Sequence, residues 1–289
     1  MANWTVKNPL RLTVDDPVSQ LDVRLVTGRL NVVGTDGPAR VEVTRVGRMP
    51  ITVEYHEGRL VVRHERHWRW TGLLPWFTLF GRRWQVDVSI AVPATVRAEL
   101  QLVDGSVVAS GLHRSTTVEV TSGQITLMGL RGRTTATLVS GPVKALGVAG
   151  DLAMETTSGE LILADGSAER IRANTVSGAI TCDLDNPQHS DIQLSATSGS
   201  VTVRVREDSD LAVRLHTTSG RITSAFPQIQ PGGRYALGKE SRGILGTGEG
   251  QLSASSTSGS ISLLARPVDD ELADPAATPD PSAMVEEAR

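Results

Sequence analysis

Asp183 and Asp185 stand two residues apart, a spacing that places both carboxylates on one face of a strand. Two facing carboxylates are what acid/base cleavage of a glycosidic bond requires. Asn186-Pro187 follows at once, however, and the segment reads as a turn; no second acidic pair recurs on adjacent repeats. The six histidines, His56, His64, His67, His113, His189 and His216, are scattered. Only His64 and His67 are close, and the arginines around them disfavour a metal cation. Cys182 is the sole cysteine, which excludes an intramolecular disulfide framework and a cysteine-based zinc site. A Ser/His/Asp triad could be drawn on paper from so many serines, but a repeat explains the serines. The expectation is a protein that is not an enzyme and holds no metal or cofactor.

The repeat must position whatever function the chain has. Ser-Gly pairs fall at Ser122-Gly123, Ser140-Gly141, Ser158-Gly159, Ser177-Gly178, Ser198-Gly199, Ser219-Gly220 and Ser258-Gly259. Counted from Gly105, the glycine spacings are 18, 18, 18, 19, 21, 21 and 39, the last about two units. Apolar residues alternate before and after each pair, as in Val118, Val120, Ser-Gly, Ile125, Leu127. Alternation of this kind marks strands with one buried face. A strand–corner–strand unit cannot bury its apolar face alone, whereas stacked units can. The fold class expected is all-β: a single-chain parallel β-solenoid, β-helix-like, without significant helix.

Each Ser-Gly pair is read as a structural corner, with glycine supplying φ > 0. By parity the serine faces inward, its hydroxyl bonding backbone at the corner. The preceding residue (Thr121, Val139, Thr157, Val176, Thr197, Thr218 or Thr257) faces outward in a ladder. Cys182 falls where other units have Leu127, Leu163, Val203 or Leu263, and reads as a small core hydrophobe. The same template appears at Thr27-Gly28 and Glu57-Gly58. Residues 1–100 are therefore expected to be degenerate N-terminal rungs that cap the stack, with an aromatic insertion at 64–86. Regular rungs occupy 101–266.

The insertion is the main departure from the repeat. Residues 68–84 read WRWTGLLPWFTLFGRRW and hold Trp68, Trp70, Trp76, Phe77, Phe80 and Trp84. Arg66, Arg69, Arg82 and Arg83 flank or join them. One reading is a loop that caps the solenoid core. Another is a docking loop for a protein partner or an anionic membrane surface, with tryptophans at the interface and arginines on headgroups. Base stacking on the tryptophans lacks a wider basic groove, and a net charge of −3 argues against general nucleic-acid binding.

Residues 227–250 hold seven glycines and no phosphate-loop spacing, and are expected to form a flexible excursion between the last rungs. Residues 267–289, with four prolines and seven acidic residues, read as a disordered acidic tail. No apolar run reaches the length of a membrane-spanning helix. The opening MANWTVKNPLRLTVDD lacks a signal-peptide pattern. The expectation is a cytoplasmic protein, peripheral to the inner membrane face if the aromatic segment attaches there. Self-association through unpaired solenoid edges is a further expectation.

The segments ETTSGELIL, SATSGSVTVRV, HTTSGRITSAF and GTGEGQLSASSTSGSISL, with VDVSIAVPATVRAELQLVDGSV ahead of them, resemble the bacterial putative-adhesin family of β-solenoid domains of unknown function. The resemblance covers residues 20 to 265. It implies a parallel β-helix-like stack and no established enzymatic activity, with some relatives linked to envelope stress or the membrane. The chain is expected to act as a scaffold or interaction module. The alternatives are an exported surface adhesin and, behind it, a carbohydrate-active β-helix enzyme.

Overall fold

A computed structural model describes residues 2–47, 49–64, 85–185, 189–232 and 238–267. These residues form strands and turns without helix. The stack is a parallel solenoid. Within a rung, one strand runs up to the corner glycine and a second continues beyond it. The rung bearing Gly105 (Arg97–Ser110) pairs in parallel with the rung bearing Gly123 (Thr116–Met128). Pairing continues in register through Gly141, Gly159, Gly178 and Gly199. The alternation dictates this arrangement: every second side chain enters the core, and pairing in equivalent register stacks like on like.

The core is a set of such columns. Leu100, Val118, Ala136, Met154, Ala173 and Leu194 form one on the first face. Ala109, Leu127, Ala145, Leu163, Cys182 and Val203 form one on the second. Return segments add Leu112, Leu130 and Val148, stacked through Arg131 N–H to Leu112 O (2.8 Å) and Ala149 N–H to Leu130 O (2.9 Å).

The N-terminal part contains one further regular rung. Gln20–Thr35 turns at Gly28 and pairs in parallel with the Gly105 rung. Beyond it, Arg59–His64 and Val86–Pro93 together complete the next level. Glu57-Gly58 is not a corner. Both residues have positive φ (47° and 79°), and they reverse the chain into an antiparallel hairpin of Ile51–His56 with Arg59–His64. Paired positive φ angles make a two-residue hairpin turn, which the Ser-Gly template imitates in sequence. Ala2–Val6, Leu10–Val14 and Ala39–Arg45 add further antiparallel strands at this end.

At the other end, the expected excursion across 227–250 contributes structure of its own. Lys239–Leu245 pairs antiparallel with Leu211–Thr217 and closes the edge of the Gly220 rung.

Candidate interaction surface

The corners build one long edge of the molecule. Their glycines are required by close approach more than by φ. A Cβ on Gly123 would meet the carbonyl oxygen of Gly105 at 1.7 Å, one on Gly141 that of Gly123 at 1.8 Å, and one on Gly199 that of Gly178 at 1.8 Å. Gly123 and Gly141 have φ of 132° and 126°, but Gly199, Gly220 and Gly259 are not in the left-handed region. The same crowding holds at Gly220 and Gly259, where the clashing oxygen would be 2.0 and 1.9 Å away.

The paired serines face outward, against the parity expectation. Ser122, Ser140, Ser158, Ser177, Ser198, Ser219 and Ser258 are all exposed, as are the residues before them. Two consecutive outward positions arise because the chain bends there, which breaks the period of two. The inward hydroxyl at the corner comes two residues before the serine. Thr217 Oγ1 donates to Gly259 O at 2.9 Å, and Ser256 Oγ donates to Gly199 O at 3.1 Å.

The exposed ladder is apolar over its first half. Val26 (40 % exposed), Val103 (51 %), Val139 (49 %) and Val176 (52 %) stand at pre-corner positions, with Thr121 and Thr157 between them. Beside this ridge runs an open groove of about 990 Å³, lined by Leu25, Val26, Val103, Val120, Val139 and His64 among others. His64 is buried, and burial pulls its pKa down to about 4. Its neutral Nδ1 accepts the Val26 N–H at 3.0 Å.

A second, smaller cleft of about 370 Å³ adjoins the groove and shares Arg24 and Arg63 with it. Its floor is Asp22, buried although it sits on an outward strand position. Arg24 Nε donates to Asp22 at 3.1 Å and Arg59 Nη2 at 2.7 Å, while Arg63 Nη2 donates to Glu54 at 2.7 Å. Glu99 is the register neighbour of Asp22, so carboxylates balance the guanidinium groups here. Neither this network nor His64 was legible in the sequence, since the partners lie on strands up to 77 residues apart.

The aromatic and basic candidates Arg66, Trp68, Arg69, Trp70, Trp76, Phe77, Phe80, Arg82, Arg83 and Trp84 lie outside the described residues. The places where their segment leaves and rejoins the stack are described. His64 lines the groove, and Val86 pairs with the corner glycine Gly28.

The carboxylate pair has a structural role. Arg204 Nε donates to Asp183 at 3.0 Å, and Arg266 Nη2 donates to Asp185. Arg266 also approaches Asp183 at 3.8 Å. The hydrogen bond from Arg204 holds the Asp183 carboxyl below the usual carboxylate range, with desolvation opposing and the charges of Arg204 and Arg266 reinforcing it. A carboxyl held ionised in this way is a poor general acid. Cys182 is buried, and desolvation with the Asp183 charge pushes its thiol up to about 12. Such a thiol is unreactive at neutral pH.

Residues 34–264 match the Toastrack DUF4097 family, and the chain belongs to it. No curated protein matches the chain. Solved structures similar to it include two putative adhesion proteins. One, from Bacteroides fragilis NCTC 9343, is described as a putative adhesin; it is 13 % identical, with a TM-score of 0.47, over 89 % of this chain and 98 % of that one. The other, from Clostridium sporogenes ATCC 15579, is described as a putative cell adhesion protein; it is 10 % identical, with a TM-score of 0.27, over 90 % of this chain and 100 % of that one. Among the described residues no helix is long and apolar enough to cross a membrane.

Proposed function

We propose that this Toastrack domain is a non-enzymatic interaction module that works at an anionic membrane surface, on the cytoplasmic side, in service of envelope stress. One observation carries the reading. The segment richest in tryptophan and arginine is joined to the stack through His64, which accepts the N–H of the exposed ridge residue Val26, and through Val86, the register partner of Gly28. Aromatic rings at the interface and guanidinium groups on phosphates are the chemistry of peripheral attachment. The rungs supply a rigid post, and Asp183 and Asp185 serve its ion pairs, which supports a role without catalysis.

The test is liposome co-sedimentation of the wild type against a variant with residues 68–84 replaced by a short Gly/Ser linker. The expected result is pelleting of the wild type with anionic vesicles at low salt, lost in a variant that keeps its β-structure by circular dichroism. A wild type that ignores anionic vesicles overturns the reading. The β-branched ridge would equally suit an exported adhesin, for which protease treatment of intact cells would degrade the protein.

A further inference from the structure

From Gly105 the rungs follow one another in chain order as far as Gly199, and then the order breaks. Gly250–Ser258 lies between Asp191–Ser198 and Leu211–Thr217 and pairs in parallel with both. Ile261–Arg266 likewise lies between Val201–Arg206 and Ile222–Ser224. The last regular rung in sequence therefore fills an internal slot. The Gly220 rung, made earlier, stands outside it.

The two walls of the slot are equivalent. Leu252 is paired with Ile192 on one side and Val213 on the other, Ala254 with Leu194 and Leu215, and Ser256 with Ala196 and Thr217. Each wall presents the same inward pattern in the same register. The bonds that hold 250–266 in place use groups that every copy carries: Ser256 to Gly199, Thr217 to Gly259, Thr223 to Ser262, and Arg266 to Asp185. Nothing in them distinguishes a chain's own rung from that of another copy.

The connection into the rung is short. Gly246 and Gly248 both take left-handed φ (55° and 74°). Asp210 clamps the turn: its Oδ1 accepts Thr247 N–H at 2.7 Å and its carbonyl accepts Gly250 N–H at 3.0 Å. Short constrained hinges favour exchange, because the open form straightens them.

The geometry points to exchange of residues 250–266 between two copies of this chain, each filling the slot of the other. The product is a closed two-fold dimer in which every contact within the slot is remade between chains. The partner is a second copy, and the surface is the slot rather than the solenoid ends. The exchange is independent of the membrane reading.

Ser195 and Ser255 report it, because they are register partners with Oγ atoms 3.4 Å apart. Full-length S195C and S255C chains, both with Cys182→Ala, are mixed in denaturant and refolded at high concentration under reducing conditions. They are then oxidised. The expected result is an interchain disulfide in a species of dimer mass by sedimentation, depleted when refolding is done at far greater dilution. A monomer mass at every concentration overturns the exchange. So does a dimer in which the two chains stay unlinked.

Discussion

A Cβ on Gly123 would stand 1.7 Å from the carbonyl oxygen of Gly105, one rung below it. That contact sets the corner of the stack and recurs at each rung. Gly159, whose Cβ would meet Gly141 O at 1.9 Å, is the test position. Gly159→Val should destabilise by about 3 kcal/mol or more. Gly199→Ala should cost a similar amount although its φ is unconstrained, because the oxygen of Gly178 lies 1.8 Å from the added carbon. Gly129→Ala is the contrast: φ is 58° but nothing lies within 4 Å, so about 1 kcal/mol is expected. Urea unfolding of the three variants separates crowding from φ; a neutral Gly199→Ala would refute crowding as the cause.

Thr116 and Thr134 are register partners on adjacent rungs, both buried, and neither Oγ1 has a hydrogen-bond partner. A buried hydroxyl left unpaired costs about 1–3 kcal/mol. Thr134→Val keeps the shape and removes the hydroxyl. It should raise stability by about 1 kcal/mol in thermal and urea unfolding; a loss of that size would mean the hydroxyl is satisfied.

His64 should make the fold acid-sensitive. Its folded pKa of about 4 lies below the ordinary 6.5, so the fold favours the neutral ring. Its contribution is complete above pH 6.5. It falls as pH drops and the unfolded chain alone takes up a proton, and the loss levels off below pH 4. The full swing is up to roughly 3 kcal/mol. Urea midpoints between pH 7 and pH 4 should fall more steeply in the wild type than in His64→Gln.

Asp183 should titrate below the ordinary carboxylate range because of Arg204. Its contribution is present above the unfolded carboxylate pKa and is lost as pH falls through the lowered folded value. Carboxyl NMR resonances followed from pH 7 to pH 2 would check this, with Arg204→Gln expected to return Asp183 towards its ordinary range. An Asp183 that titrates above that range would revive it as a candidate acid.

Alternation and recurring glycines were enough to specify the solenoid, because a period of two fixes which face is buried and a corner glycine fixes where the chain bends. The outward ladder from Thr121 to Thr257 and the core position of Cys182 followed from the same parity. Parity failed at the serines, since the bend itself consumes one step of the alternation. Glu57-Gly58 looked like a corner and is a hairpin turn, because local residue types permit both and pairing with Ile51–His56 selects one. Asp22, Arg24 and Arg59 meet only through strand pairing. The place of the last rung shows the limit most clearly. Rungs at Gly199, Gly220 and Gly259 present the same inward pattern in the same register, so their sequences carry no order; it is the antiparallel strand Lys239–Leu245 against Leu211–Thr217 that closes one edge and leaves residues 250–266 the slot between.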